Sequence, residues 1–385
     1  MSELSSEHKV IYVNQRRELR EIVSNIFKIK NWHSGIRRIN KNLLLIESPW
    51  IFPKIYKLES LDIIIDWLYH RFIWLIAFLW GNNCTKILYI WEPGFSSVRR
   101  YYRNYIYIYH PYDMYDKYTY VLQNRDKGIS KTELKNESDL VHDAFLFYSV
   151  TELLCDHYHH KFGRRPKLLP NAVQDIYFGG DDEELQEASR KILAPFPTKK
   201  VGISGSIIGS LDLDLIMDSA KHLEDYTFLF MGIIRCTNIP EYDEKLEKLF
   251  SVKNVVHLGS FDVKILPYLL REMDVLAMIY SCDRSIWTHY GGPSKLFEYM
   301  AIGKPIISTP HPALGECKKY ISIVENSEQL ISAMKRIETG SDELLLKEMV
   351  QTARKNTWKE RVNIILEDLS KGMTINAGSV VATPR

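Results

Sequence analysis

The chain has 385 residues, 45% of them hydrophobic and 25% charged, and a formal net charge of +2. That length accommodates two separate cores, the composition excludes a disordered protein, and the near balance of charge gives no footprint for a nucleic-acid partner. Five cysteines (Cys84, Cys155, Cys236, Cys282 and Cys317) lie far apart without CxxC spacing, and the opening MSELSSEHKV has no leader pattern, so a reducing, cytoplasmic location without structural zinc is expected.

In chain order, His8–Asn14 reads as a first strand, followed by a charged helix-like run through Lys30 and a second strand at Leu43–Ile46. The stretch Ile63–Trp80, IIIDWLYHRFIWLIAFLW, approaches the apolarity of a membrane span, but Asp66, His70 and Arg71 near its middle make spanning costly. A packed helix is the favoured reading; peripheral contact of Trp67, Trp74 and Trp80 with a bilayer surface is the other.

Strands at Lys86–Trp91, Asn104–Tyr109 and Ala144–Ser149 each lead into a polar turn, with a helix over Thr151–Lys161, which is the pattern of a doubly wound α/β domain. His110 and Asp113 fall just beyond the carboxyl end of one such strand, where ligands gather in open α/β sheets, and arginines and lysines (Arg99, Arg100, Arg103, Arg125, Lys127, Lys131) flank them. A carboxylate there can deprotonate an acceptor hydroxyl, and His110 can act as base or hydrogen-bond donor. Equally, Asp113 can cap a turn and His110 can be a structural polar group.

Leu169-Pro170-Asn171 followed by the glycines and acids of Gly179–Glu184 reads as a linker, which places a domain boundary near residue 175. The expected division is 1–174, 175–355 and a C-terminal segment 356–385 that packs back on the first domain. The second half repeats strand and helix: strands at Lys200–Ile203, Tyr226–Met231, Val255–Leu258 and Val275–Tyr280, with helices at Leu211–His222, Glu241–Leu249 and Val263–Leu270. Gly205 and Ser206 follow the first of these strands and precede a helix, as in a phosphate-binding turn. The tail reads as two helices within Asp342–Lys371, separated near Asn356, with fraying from Gly372 onward.

The richest stretch is Tyr290–Ser308, YGGPSKLFEYMAIGKPIIS. Gly291, Gly292 and Pro293 open a helix over Ser294–Met300, and Gly303-Lys304-Pro305 closes it before a strand at Ile306–Ser308. Phe297, Met300 and Ala301 would face a core, leaving Ser294, Lys295 and Glu298 on another face. A helix N-terminus preceded by glycines is a seat for phosphate; Lys295 would add a full charge, and Glu298 could accept hydrogen bonds from ribose hydroxyls. The alternative is that Lys295 and Glu298 are merely a solvated helix face.

Several stretches together resemble the GT-B glycosyltransferases, specifically the glycosyltransferase family 4-like group that builds bacterial surface polysaccharides. They are SKLFEYMAIGKPIIS, the strand and glycine turn VGISGSIIGSLDLDLI, the linker LLPNAVQDIYF, and NVVHLGSF with LPYLLREMDVLAMIY. The resemblance implies an α/β GT-B fold of two Rossmann-like doubly wound domains facing across a cleft, with a nucleotide sugar of UDP or GDP type bound mainly by the second. The acceptor, lipid-linked or a glycan, would be held by the first. It further implies that Gly205 and Ser206 approach the diphosphate beside the helix start of Gly291, Gly292 and Ser294, that Lys295 neutralises it, that Glu298 binds the ribose, and that Asp113 is the base. No metal or other cofactor is expected. The chain departs from the pattern after the first glycine turn, where Ile207, Ile208 and Gly209 replace the usual arginine and lysine, and at Tyr290, where the group has a glutamate. An epimerase of the same fold and a non-catalytic donor-binding partner of another transferase are the competing readings.

Overall fold

The computed structural model describes residues 1–14, 16–19, 22–23, 35–47, 49–55, 58–81, 84–114, 131–207, 209–234, 240–281 and 290–378. By its internal contacts the chain divides into two compact units. One is built from Met1–Tyr109, Lys135–Leu146 and Val362–Arg385, the other from His110–Leu134 and Phe147–Arg361.

In the first unit, β1 (Val10–Val13) pairs in parallel with β3 (Leu43–Glu47), and β2 (Gly35–Asn40) pairs antiparallel with β3 on its other side. A simple strand–helix–strand reading of this region therefore needs correcting. β2, GIRRIN, is exposed along nearly its whole length, so no alternation marks it. Its signal lay in the turn: Asn40 Oδ1 accepts from the Asn42 N–H at 2.8 Å, a short side-chain bond that reverses the chain. The charged run before it lies largely outside the described residues. Further on, β4 (Ile87–Ile90) and β5 (Ile106–Tyr109) pair in parallel.

The apolar stretch forms one helix, Glu59–Trp80, beginning four residues before the expected Ile63. Tyr69 and Ile73 on its inner side pack with Ile46, Val98 and Tyr102. The same inner side carries the charges. Arg16 Nη2 lies 2.9 Å from Asp62 and 3.1 Å from Asp66, and the Tyr101 hydroxyl donates to Asp66 at 3.0 Å. His70 is buried and stacked on Tyr101, and burial lowers its pKa to about 4. Only half of the helix is packed; its outer side is apolar and exposed.

The C-terminal helix runs over Trp358–Gly378, so residues 372–378 are helical rather than frayed. A Cβ at Gly372 would come within 2.5 Å of the Phe145 ring, which shows how closely this helix approaches the preceding segment of the same unit.

The second unit contains a six-stranded parallel sheet in the order β10-β9-β8-β11-β12-β13. The strands are β8 (Lys199–Ser204), β9 (Tyr226–Met231), β10 (Val255–Gly259), β11 (Val275–Met278), β12 (Ile306–Ser308) and β13 (Ile321–Ile323). Successive side chains alternate between two cores. Phe228, Phe230, Val275 and Ala277 face one, and Leu229, Met231, Leu276 and Met278 face the other. Strands buried on both sides read as continuous apolar runs, which is why this half was legible. Two segments differ from expectation: the expected Val263–Leu270 helix is Leu266–Arg271, with Pro267 in its first turn, and the acidic run read as linker opens a helix, Glu183–Leu193, capped by Asp182. In the same unit β6 (Leu146–Ser149) pairs in parallel with β7 (Lys167–Leu168) through Tyr148 and Ser149.

The strand order reverses between β8 and β11, and the carboxyl ends at such a reversal form the natural ligand crevice of a doubly wound sheet. Two glycines shape the chain there. Gly205, which follows β8, has φ +104°, and a Cβ on Gly232, which follows β9, would lie 1.9 Å from the Gly205 carbonyl oxygen. Any side chain at 232 would push the Gly205 turn out of place.

Candidate functional site

The helix that follows Gly291-Gly292-Pro293 spans Lys295–Ile302 and stops at Gly303, whose φ of +78° suits glycine at a helix C-terminus. Ser294 is the exposed N-cap residue rather than part of the helix, and its side chain makes no capping bond. Phe297, Met300 and Ala301 are buried as expected, together with Leu296 and Tyr299.

Lys295 is not on a solvated face. It is 8% exposed, its amine lies 5.4 Å from the centre of the Tyr280 ring, and a Cβ on Gly205 would sit 3.4 Å from its Nζ. The helix lysine and the glycine of the β8 turn, 90 positions apart in the sequence, are therefore neighbours at the reversal of strand order. Tyr299 fixes this approach from below: its hydroxyl accepts from the Ser204 N–H at 2.7 Å and from Ser204 Oγ at 3.1 Å. Ser206 is exposed beside the turn.

Glu298 is half-buried and accepts a hydrogen bond from the Tyr177 hydroxyl. Burial raises its carboxyl to about 7, against the opposing pull of Tyr177 and Lys295. Burial also lowers the Lys295 ammonium to about 8, offset in part by Glu298. Each group has lost more hydration than the other restores, so a bound anion beside Lys295 and hydroxyl donors beside Glu298 would both be favourable.

The loop before the helix is clamped from within the same unit. Thr151 Oγ1 donates to the Tyr290 carbonyl at 2.6 Å while accepting from the Leu154 N–H at 3.1 Å, and Asn171 Nδ2 donates to the Gly292 carbonyl at 2.8 Å. Asp113 stands against this loop: a Cβ on Gly291 would be 3.6 Å from Asp113 Oδ1. Asp113 is 8% exposed, and burial raises its carboxyl to about 6 despite the bond it accepts from the Met114 N–H at 2.8 Å. His110 lies 3.2 Å through Nε2 from the Leu169 carbonyl, which places the ring proton on that nitrogen. Burial lowers the His110 pKa to about 4, so the ring is neutral at physiological pH.

The structure thus brings Gly205 to Lys295, Lys295 to Glu298, and Asp113 to Gly291, all within one unit. His110 Nε2 has the Leu169 carbonyl as its backbone partner. Sequence reasoning missed Tyr177, Tyr280, Thr151 and Asn171. Asn171 and Tyr177 lie inside the LLPNAVQDIYF stretch, which reads as a linker in the sequence and in the structure supplies a clamp and a partner for Glu298. Arg125 and Lys127 lie outside the described residues, and Ile208 does too. Ile207, which stands where the resembled group has a cation, is buried and bridged to Ile234.

No family model matches the chain. It is 29% identical over 178 residues to TuaH of Bacillus subtilis (strain 168), named as a candidate teichuronic acid biosynthesis glycosyltransferase; the match covers 45% of this chain and 43% of that protein. The matched part thus spans less than half the length of that relative. Among solved structures it is similar to HepE of Anabaena in complex with UDP and glucose, with a TM-score of 0.67, 14% identity, and coverage of 95% of this chain and 100% of the other. It is similar also to sucrose-phosphate synthase from Thermosynechococcus elongatus, with a TM-score of 0.63, 13% identity, and coverage of 98% and 90%. WaaG, a glycosyltransferase involved in lipopolysaccharide biosynthesis, matches with a TM-score of 0.52 and 14% identity over 90% of this chain and 94% of the other. The α/β architecture with parallel sheets and these likenesses establish that the chain has the GT-B fold.

Proposed function

We propose that the protein is a glycosyltransferase of hexosyltransferase type that moves a sugar from a nucleotide sugar to a lipid-linked or polysaccharide acceptor during surface polysaccharide synthesis. The observation that carries this reading is the buried amine of Lys295 against the Gly205 turn, at the start of the Lys295–Ile302 helix. HepE has been solved with UDP, with UDP and glucose and with UDP-glucose, and TuaH carries a teichuronic acid role in its name. The HepE complexes support a nucleotide sugar as donor, with UDP the first to test, and the TuaH name supports a surface-polysaccharide product.

When the bond between sugar and diphosphate breaks, negative charge grows on the leaving group. Backbone N–H groups at the helix start and the Lys295 ammonium, held in a dry setting before the reaction, stabilise that charge without reorganising. Glu298 accepts from the ribose hydroxyls, and Asp113, whose raised pKa suits a base near neutrality, takes the acceptor's proton. The enzyme works on the cytoplasmic side, where peripheral contact brings it to a membrane-held acceptor.

The deciding experiment is thermal stabilisation by UDP-, GDP- and dTDP-sugars, followed by transfer assays in chelator. One donor class is expected to raise the melting temperature, and transfer is expected to persist without divalent ions because Lys295 and the backbone N–H groups at the helix start do the neutralising. Strict dependence on added magnesium would contradict the metal-independent part. A second reading rests on Ile207, which leaves Lys295 without the cations usual after the first turn: nucleotide binding with no turnover on any acceptor would make the chain a non-catalytic partner.

A further inference from the structure

The Glu59–Trp80 helix is apolar on both sides, and its ionic groups lie on the packed one. Its inner side carries Asp62 and Asp66, held by Arg16 and, at Asp66, by Tyr101, and His70, whose Nδ1 lies 3.4 Å from the Tyr102 hydroxyl, while its outer side at helical spacing presents Leu61, Ile64, Trp67, Leu68, Trp74, Leu75, Phe78 and Leu79, exposed by 38% to 73%. A water-facing surface would place polar residues there, and contiguous apolar patches of this kind mark a surface that meets something apolar.

The cations around the stripe say what that is. Arg71, on the outer side, lies over the Trp67 ring at 5.4 Å; Lys86 lies 5.9 Å from the Phe78 ring centre; Lys9 sits 6.0 Å from the Trp80 ring and donates to the Trp80 carbonyl at 2.7 Å. Tryptophans and basic groups bordering an aliphatic stripe match the headgroup level of a bilayer with negative charge. A second copy of the chain would instead bring like charges together around the same stripe. At 21 residues with a mean hydropathy of 1.4, the segment Ser60–Trp80 is long enough to cross a bilayer, but its other side is anchored by Tyr69, Ile73 and the Arg16 ion pairs.

We infer that the outer side of the Glu59–Trp80 helix lies in the plane of an anionic phospholipid surface, buried to the depth of its apolar side chains, and does not span it. This inference rests on the peripheral-membrane part of the proposal above and is independent of the transfer reaction.

The test is flotation of the full chain with vesicles of phosphatidylcholine alone or mixed with phosphatidylglycerol. Binding to the mixed vesicles is expected, falling about fivefold for each of Arg71→Glu and Lys86→Glu and at least about tenfold for Leu75→Glu combined with Leu79→Glu. Tryptophan fluorescence should be quenched more by bromines placed near the headgroups than by bromines near the bilayer centre. Stronger quenching from the centre would overturn the in-plane geometry. No flotation of the unmodified chain with either vesicle would overturn the inference, as would a dimer in solution that the paired leucine substitutions dissociate. Stabilisation by a UDP-sugar, measured on the same variants without vesicles, reports on the donor site alone, so failure of either reading is seen separately.

Discussion

Replacing Lys295 with alanine is expected to weaken nucleotide-sugar binding or transfer by about tenfold or more, because a charge-assisted hydrogen bond to a diphosphate contributes on the order of 1.5–3 kcal/mol. The empty protein should not suffer in parallel. Lys295 is buried beside Gly205 and Tyr280 with its pKa lowered to about 8, so at neutral pH the folded chain bears a cost for keeping it charged. Lys295→Met, which keeps the stem and removes the charge, relieves that cost by on the order of 3 kcal/mol at most. The expected pattern is therefore an equal or higher melting temperature with poorer donor binding. Unchanged binding in a folded variant would remove Lys295 from the site, and the sugar-transfer reading would lose its main support.

The second large effect is expected at Asp113. Asp113→Asn should keep donor binding and lose transfer by about a hundredfold or more, the scale of a missing general base. Its pKa of about 6 lies above that of an ordinary aspartate. The folded state thus holds this proton more tightly than the unfolded chain does, and the resulting stability is present below the ordinary aspartate range and lost as the pH rises through about 6. Asparagine removes that loss, so the variant should be more stable than the parent at pH 8 by at most about 3 kcal/mol, with little difference at pH 4. For the parent, kcat/KM should climb with an acid limb near 6 that the variant lacks. Normal transfer by Asp113→Asn would exclude it as the base.

The second half of the chain was readable because strands buried on both faces, such as Tyr226–Met231, and glycine-punctuated turns such as Ser204–Gly205 announce themselves locally. The phosphate-seat reading of Lys295 came from a single contiguous stretch for the same reason. Partners supplied from afar were not readable: Tyr177 and Tyr280 reach the Lys295–Glu298 pair from other elements, and Thr151 and Asn171 seize the 290–292 loop from more than 100 positions away. β2 escaped notice because an exposed edge strand with arginines has no hydrophobic pattern to display. The helix at Glu59–Trp80 was harder still, since its acids looked like breaks in an apolar run and are instead its packed side.

The seclusion of Lys295 also makes nucleotide recognition a proton-linked event. An ammonium that titrates near pH 8 when alone is held charged once a diphosphate lies against it, so complex formation draws protons from the buffer. Affinity should accordingly decline above pH 8, and heats of association measured by calorimetry at that pH should vary with the ionisation enthalpy of the buffer, a dependence that Lys295→Met reduces to the share of Glu298.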